Sequence, residues 1–453
     1  MNLPNYFLAD LPPEATLSPT LIAEACATLK HNRESYLVRR STEHIVQILA
    51  EVAAGWLEPE NLFRQLALEH GPAQLGFSRA ILARGFDGFF RQLTVENFHA
   101  LLEQELGNAR RLDDLVTSDA ERAGDRAAIA TGPEFLVHIA AGNIPNPTLM
   151  SMVLGLLTRS AQFVKCASGT ALLPRLFAHS IYELQPKLAT CLEVAEWRGG
   201  DAALEAALFA EADCVTATGS DETLLAIRNR LPVRARFLGY GHRVSFGYVA
   251  SEVLTPLHAK KVIARAAEDV VAWDQLGCLS PHVFYVQSGG AASPVHFAEQ
   301  LAEELARREA TEPRGKLSPD VAATIASRRA IYQVRAAHAT DTHLWQSKDS
   351  TAWTVVCEAD ARFPISCLHR FIYVKPVRDL TELMQSADAV RGQISTVGVA
   401  VPEHQAGEIA TRLARWGVTR ICPLGQMQNP ALAWRHDGRP ALGDLVTWMD
   451  YES

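Results

Sequence analysis

The segment Phe135–Asn143, with the sequence FLVHIAAGN, decides the fold class of this chain. Its first five residues form an apolar run of the length of a buried strand, and Gly142 and Asn143 are typical turn residues. The apolar stretch Thr148–Leu157 then predicts a helix. A buried strand that opens through a turn into an apolar helix is typical of an α/β fold.

The same alternation continues toward the carboxyl end of the chain. Further strands are predicted at 161–166, 244–249, 282–286, 353–357, 371–375 and 395–401, with a strand-to-turn junction at 214–220, and further helices are predicted at 173–183 and about 258–271. This order indicates parallel strands with right-handed crossovers. Ligands of such sheets bind beyond the carboxyl ends of the strands, where we expect most of the candidate residues. Residues 1–125 show helical spacing and no catalytic motif, which predicts packing or lid helices.

Composition excludes several classes of protein. The 453 residues are 48% hydrophobic and 21% charged, which is ordinary for a chain of two or three domains. The net charge of −8 argues against a nucleic-acid binder, which needs a basic face. No apolar run approaches the length of a membrane span, and the first residues lack the pattern of a signal peptide. We therefore expect a cytoplasmic protein.

The cysteines point to reduced thiols rather than to disulfides or metal ligands. None of them forms a CxxC pair or lies at zinc-ligand spacing from histidines, so no metal site is expected. Most should be small buried residues. The eight are Cys26, Cys166, Cys191, Cys214, Cys278, Cys357, Cys367 and Cys422.

Cys278 is the strongest candidate for a nucleophile. It follows Gly277 and precedes Ser280 and Pro281, between a predicted helix and a predicted strand. Backbone N–H groups gathered at such a turn can lower the pKa of a thiol and bind an oxyanion. A buried structural cysteine is the alternative, and position alone does not decide between them.

Three further turns carry candidate binding residues. Asn143 can donate a hydrogen bond to an oxyanion, or it can be a plain turn residue. Lys165, followed by Ser168, can hold a ribose or a phosphate, or it can be a solvated lysine. Gly219 and Ser220 suit a pyrophosphate at a helix N-terminus, or Ser220 can simply cap that helix. A GxGxxG fingerprint is absent.

In its order of Asn143, Lys165, Gly219–Ser220 and Cys278, the chain resembles the aldehyde dehydrogenase superfamily, and more closely the acyl-CoA reductases of the LuxC type. The resemblance covers about residues 130–452, whereas the first 125 residues carry little recognisable signal. Four stretches carry the closer resemblance: Ala141–Pro145, Gly239–Gly247, the Cys278 segment, and His436–Gly438 with Leu445–Glu452.

The resemblance implies a Rossmann-like cofactor domain and an α/β catalytic domain. We divide the chain accordingly into residues 1–125, mostly helical and part of or packed on the cofactor domain, 126–250 for NADP binding, 251–425 carrying the nucleophile, and a tail at 426–453. Superfamily members usually form dimers or larger assemblies, so a homo-oligomer is expected by analogy.

The resemblance also assigns roles to residues. Cys278 would attack a thioester and form an acyl-enzyme, with Asn143 and the Cys278 N–H group as oxyanion donors. Lys165 and Ser168 would contact the adenosine ribose, and Gly219–Ser220 the pyrophosphate. NAD-preferring relatives usually carry a glutamate at the position of Ser168. Its loss removes a carboxylate that would repel a 2′-phosphate, which favours NADPH.

Two departures from the superfamily pattern bear on the reaction. The glutamate base of hydrolytic members is missing, since Gly239–Arg243 contains no carboxylate, and an acyl-enzyme that must be reduced is best kept from activated water. His242 in this stretch can protonate a leaving thiolate, or it can be structural. A Glu-x-Phe segment that touches the nicotinamide ribose survives only as Phe363.

The expected function is NADPH-dependent reduction of an acyl thioester, from acyl-CoA, an acyl carrier or an acyl-transferring partner protein, to an aldehyde. Two alternatives stay open: an aldehyde dehydrogenase that forms an acid, and a non-catalytic scaffold subunit of an acyl-transfer complex.

Overall fold

The computed structural model describes residues 3–12, 14–140 and 142–452, so Ala141 of the predicted turn lies outside the described residues. The chain forms two compact units. The first unit comprises the residues up to Leu75, Phe86–Gly241 and the residues from Ala431, and the second comprises Gly76–Gly85 and His242–Pro430.

The amino-terminal region is helical, as predicted. Serine and threonine side chains start several of these helices: Ser18, Ser41 and Thr94 each accept a hydrogen bond from a backbone N–H group of the first turn. The helices are α1 (Pro19–Tyr36), α2 (Thr42–Leu57), α3 (Leu62–Leu75), α4 (Arg79–Phe90), α5 (Val95–Leu106) and α6 (Asp119–Arg122).

The first unit contains a five-stranded parallel sheet of order β4-β3-β2-β5-β6. The strand order reverses between β2 and β5, and such a switch point is where open α/β sheets bind ligands. The strands are β1 (Arg126–Thr131), which lies outside this sheet, β2 (Phe135–Ile139), β3 (Ala161–Cys166), β4 (Leu192–Glu196), β5 (Cys214–Thr218) and β6 (Arg236–Tyr240). The helices between them are α7 (Asn146–Leu157), α8 (Leu172–Leu184), α9 (Pro186–Ala189), α10 (Ala202–Glu211) and α11 (Asp221–Arg228).

The second unit contains a seven-stranded sheet of order β13-β12-β7-β8-β11-β10-β9, in which only the β9–β10 pair is antiparallel. Its strands are β7 (Val244–Val249), β8 (Pro281–Gln287), β9 (Thr342–Gln346), β10 (Thr354–Glu358), β11 (Phe371–Val377), β12 (Ile394–Ala400) and β13 (Arg420–Pro423). Its helices are α12 (Ala259–Val271), α13 (Pro294–Glu309), α14 (Pro319–His338), α15 (Leu380–Ser386) and α16 (Glu403–Trp416). The predicted α/β class with parallel strands is thus confirmed.

A last strand, β14 (Thr447–Glu452), pairs antiparallel with β1 as a separate two-stranded sheet of the first unit. All six of its residues are exposed, including Trp448, Met449 and Tyr451. Within the described part of the chain, no helix combines the length and the apolar character needed to cross a membrane.

Candidate active site

The candidate residues of the first unit lie at one edge of its sheet. Asn143 follows β2, Lys165 is the penultimate residue of β3, Ser168 follows β3, and Gly219 and Ser220 follow β5. All are at the carboxyl ends of parallel strands, as predicted, and β2 and β5 flank the switch point.

Lys165 is a buried lysine rather than a solvated one. Its side chain is only 4% exposed, and Nζ lies 5.5 Å from the centroid of the Trp197 ring. Burial lowers the pKa of Lys165, and the opposite charges of Glu205 and Glu196 partly offset this effect. The ammonium group is thus held near the strand end, where it can pair with an anionic ligand.

Glu196, which sequence reasoning missed, supports the loop that follows β3. It is the last residue of β4, and its two carboxylate oxygens accept hydrogen bonds from the backbone N–H groups of Gly169 (2.6 Å) and Ala171 (3.1 Å). Gly169 has a φ of +81°, which favours glycine. Since Ser168 lies in this loop, a carboxylate is present beside it after all.

Ser220 caps helix α11. Its hydroxyl oxygen accepts a hydrogen bond from the backbone N–H group of Thr223 at 3.3 Å, and the N–H group of Gly219 donates to the carbonyl of Tyr240 at 3.2 Å. Capping, the simpler interpretation of Ser220, is therefore confirmed. A small capped turn at a helix N-terminus beside the switch point, with Lys165 at the same edge, fits the phosphates and ribose of a dinucleotide.

Two of the stretches that carry the family resemblance meet in the first unit. The ring of His436 stacks on the ring of Tyr240, with centroids 4.4 Å apart and planes 15° apart. Arg439 lies over the same tyrosine ring at 4.5 Å and donates a hydrogen bond to the carbonyl of Gly239. A Cβ atom on Gly241 would lie 2.4 Å from a carboxylate oxygen of Asp221, so a larger residue here would displace that side chain.

In the second unit, Cys278 lies between the 3₁₀ turn Ala272–Gln275 and β8, the helix-to-strand junction that the sequence predicts. It precedes its strand and therefore lies at an amino end, unlike the candidate residues of the first unit. His242 precedes the neighbouring parallel strand β7 and is exposed. Both residues thus lie at the amino ends of adjacent strands.

Hydrogen bonds hold the Cys278 turn on two sides. The hydroxyl of Ser245 donates to the carbonyl oxygen of Cys278 at 2.7 Å, and the side-chain amide of Gln428 donates to the hydroxyl of Ser280 at 2.7 Å. Within the turn, the N–H group of Ser280 donates to the carbonyl of Gly277 at 2.9 Å. Cys278 itself is half-buried.

Two runs of three consecutive residues with left-handed backbone conformation lie next to this region. Trp273, Asp274 and Gln275 have φ values of 51°, 48° and 66°, and the triplet Leu368–Arg370 has values of 62°, 54° and 64°. The guanidinium of Arg370 pairs with Asp274 at 2.7 Å, with side chains 1% and 4% exposed, and Gln275 donates to the carbonyl of Phe371 at 3.1 Å. Left-handed non-glycine residues cost energy and persist only where their surroundings fix them.

The other seven cysteines lie in environments that suppress thiolate formation. Six are buried, which confirms the expectation that most cysteines are core residues, and Cys367 is half-buried. Burial raises the pKa of Cys367, that of Cys214 to about 11, and that of the remaining five to about 12. Thiols of this kind stay protonated at neutral pH and are poor nucleophiles.

His282 and Phe363 form an aromatic group in the second unit. The Phe363 ring lies 6.0 Å from the His282 ring and 6.3 Å from the Phe246 ring, so it packs against the core of the unit. Burial, together with the charge of His242, lowers the pKa of His282 to about 4. His282 is therefore neutral at physiological pH.

Comparison with protein families gives a match along nearly the whole chain. A model of the family described as acyl-CoA reductase (LuxC) matches residues 37–448. The match begins well before residue 130, so the amino-terminal helices carry more family signal than the sequence motifs indicated. The chain is 24% identical to the long-chain acyl-protein thioester reductase of Aliivibrio fischeri over 426 residues, covering 92% of this chain and 83% of that protein. It is 22% identical to the enzyme of that name from Photorhabdus laumondii, covering 90% and 82%.

Solved structures with the same fold include aldehyde dehydrogenases. A NAD-dependent benzaldehyde dehydrogenase from Corynebacterium glutamicum aligns with a TM-score of 0.67 at 13% identity, covering 99% of this chain and 94% of that one. A bifunctional proline utilization A protein aligns with a TM-score of 0.69 at 16% identity, and the chain spans only 46% of its length. At these identities the likeness shows the fold alone.

Proposed function

Because the chain belongs to the acyl-CoA reductase (LuxC) family, we propose that it reduces an acyl thioester to an aldehyde with NADPH, through a covalent acyl group on Cys278. The observation that carries this proposal is the contrast among the cysteines. Six of the other seven are buried, whereas Cys278 lies half-buried at the amino end of β8, on a turn held by Ser245 and Gln428.

In the proposed reaction, the Cys278 thiolate attacks the carbonyl carbon of the thioester. A bond forms between that carbon and the cysteine sulfur, and the bond to the donor thiol breaks. The leaving thiolate takes a proton, for which we propose His242 as the donor. Asn143 and the Cys278 N–H group are proposed, from the family resemblance, as donors to the oxyanion.

The fold and the family imply a nicotinamide cofactor, which when bound supplies the hydride that converts the acyl group to the aldehyde level. We propose that Lys165 and Ser168 hold its adenosine ribose, Gly219–Ser220 its pyrophosphate and Phe363 its nicotinamide ribose. The reduced group is a hemithioacetal on the Cys278 sulfur. Its collapse breaks the carbon–sulfur bond, releases the aldehyde and regenerates Cys278.

NADPH is favoured over NADH by the serine at position 168 and by the buried ammonium group of Lys165, which can pair with a 2′-phosphate. The negative charge of the Glu196 carboxylate would repel a 2′-phosphate and so opposes this preference. Both of its oxygens, however, accept hydrogen bonds from backbone N–H groups of the loop. Rates measured with each cofactor at equal concentration test the preference directly.

The test of the main proposal uses Cys278→Ala, with Cys367→Ala as the matched control because Cys367 is the other half-buried cysteine of the second unit. With long-chain acyl-CoA and NADPH, we expect C278A to lose aldehyde formation and radiolabelled acyl-enzyme, and C367A to retain both. Aldehyde formation by C278A would overturn the assignment.

The native protein also distinguishes the two alternative functions. Acid as its product would favour an aldehyde dehydrogenase, and absence of cofactor binding would favour a scaffold subunit.

We propose further that the protein forms a homo-oligomer through β14. An isolated two-stranded sheet is marginally stable in water, and β14 exposes Trp448, Met449 and Tyr451. A double substitution, Trp448→Ser with Tyr451→Ser, is expected to shift the native mass measured by light scattering to that of one chain. An unchanged mass would reject this interface.

A further inference from the structure

Arg420, the first residue of β13, holds the loop that supports one side of the Cys278 turn. Its guanidinium donates hydrogen bonds to the carbonyl oxygens of Met427 (2.7 Å) and Gln426 (2.8 Å). The next residue, Gln428, donates to Ser280 at 2.7 Å. The position of Ser280 therefore depends, through this loop, on Arg420.

The same guanidinium reaches the other support of the turn. Arg420 pairs with Thr396 in the β12–β13 register, and its Nη1 lies 3.5 Å from the Thr396 hydroxyl. The N–H group of Thr396 donates to the Ser245 hydroxyl at 3.1 Å, and that hydroxyl donates to the Cys278 carbonyl at 2.7 Å. Ser245 and Thr396 are both fully buried. A ring of contacts thus runs from Arg420 to both sides of the turn.

A nearby positive charge stabilises the thiolate form of a cysteine. A helix N-terminus commonly supplies it, but Cys278 is followed by strand β8, and the preceding helix α12 ends before it. Arg420 is in electrostatic range of Cys278: burial lowers the pKa of Arg420, and Cys422, Asp269 and Cys278 act in the opposite direction. Arginine keeps its charge in such surroundings.

We propose that Arg420 is a positioning residue for Cys278, which fixes both supports of the turn and supplies the positive charge that favours the thiolate. This inference rests on the proposed role of Cys278 as nucleophile. The residue acts through the turn and the local field and takes no part in bond making.

Other titratable groups near this pair affect the test. Asp269 on α12 accepts hydrogen bonds from the N–H groups of Gly425 (2.6 Å) and Met427 (3.0 Å), and burial raises its pKa to about 7. Its charge above that pH opposes the effect of Arg420. Cys422 has a pKa of about 12 and His282 one of about 4, both because of burial, so neither changes charge between pH 5 and 10. The charge of Glu268 also raises the pKa of Asp269, and His242 is exposed.

The test measures alkylation of Cys278 by iodoacetamide as a function of pH, read by mass spectrometry of the Cys278 peptide. In the native protein, we expect a midpoint below that of an ordinary thiol, about 8.5. Arg420→Gln should raise the midpoint by about one pH unit or more, and Arg420→Lys, which keeps a charge, by less. Asp269→Asn removes the competing carboxylate. In that background, Arg420→Gln should still raise the alkylation midpoint of Cys278.

Arg236→Gln is the matched control. Arg236 also donates to three loop carbonyls, those of Asp444, Leu445 and Val446, but it belongs to the first unit. Its substitution should leave the Cys278 midpoint unchanged. Equal midpoints for native protein and R420Q would overturn the inference. If R420Q does not fold, a native midpoint at or above 8.5 would overturn it equally well.

Failure of this inference is distinguishable from failure of the proposed function. If C278A retains aldehyde formation, the nucleophile assignment is wrong, whatever the alkylation midpoints are. If C278A is inactive and R420Q keeps the native midpoint, only the role of Arg420 is wrong.

Discussion

The carboxylate of Glu196 accepts a 2.6 Å hydrogen bond from the backbone N–H group of Gly169. This bond brings a negative charge to the loop that contains Ser168, where a 2′-phosphate would be repelled. We expect Glu196→Gln to raise the ratio of kcat/KM for NADPH over NADH by about fivefold, roughly 1 kcal/mol of discrimination. Glu193→Gln, on the same strand, is the control and should leave the ratio unchanged. A lower ratio in E196Q would mean that the carboxylate supports the 2′-phosphate site.

Glu193 predicts a pH dependence of stability. Burial raises its pKa to about 8, against the hydrogen bonds that it accepts from the N–H groups of Leu8 and Val194. A raised carboxyl pKa gives stability that is complete below the unfolded value, near 4.5, and is lost as pH rises toward 8. Glu193→Gln keeps an acceptor oxygen for both bonds and carries no charge. At pH 8.5 we expect E193Q to unfold with a free energy about 2 kcal/mol higher than the native protein, and at pH 4.5 with a similar one. Denaturant titrations at both pH values measure this, and equal curves at pH 8.5 would contradict it.

Two helical glycines of the second unit should respond oppositely to alanine. A Cβ atom on Gly85 would lie 2.1 Å from the indole ring of Trp273, whereas a Cβ atom on Gly407 would have nothing within 4 Å. We expect Gly85→Ala to lower the free energy of unfolding by about 1–3 kcal/mol through overpacking. Gly407→Ala should raise it by about 0.5–1 kcal/mol, because alanine favours the helix. Thermal unfolding of both variants decides the matter, and a stable G85A would show that Trp273 can move.

The stacked pair of Tyr240 and His436 predicts a structural role for the tail motif. His436→Ala should cost about 1 kcal/mol of stability, since stacked aromatic pairs contribute about 0.5–1.5 kcal/mol. His436→Phe keeps the stack and removes the imidazole nitrogens. We therefore expect H436F to retain turnover and most of the stability. Loss of turnover in H436F with an unchanged melting temperature would instead show that the imidazole has a chemical role.

The alternating elements were predictable wherever a strand was continuously apolar. Strand β3 has six buried residues and β8 begins within one residue of its predicted start. Strands β4 and β6 were missed because the first carries glutamates at both 193 and 196 and the second is only partly buried along its length. In these two strands the charged or half-exposed side chains interrupt the apolar run by which a buried strand is recognised.

The candidate site residues were predictable only where the residue type itself indicates the chemistry. Cys278 and Lys165 stand out by chemistry and by their place beside a strand. Arg420 and Gln428 do not, because their role depends on strand register and on which way a side chain points after folding. Glu196 was hidden for the same reason, since it acts from a strand that the sequence did not reveal.

The paired left-handed triplets at Trp273–Gln275 and Leu368–Arg370 restrict how this protein can be engineered. A random library aimed at new acyl chain lengths would place β-branched residues at these six positions, where such side chains fit worst. Most of those clones would be lost to misfolding before substrate choice is ever sampled. Keeping these six codons constant would preserve the Arg370–Asp274 pair and the Gln275 hydrogen bond, and would direct the diversity to positions that tolerate it.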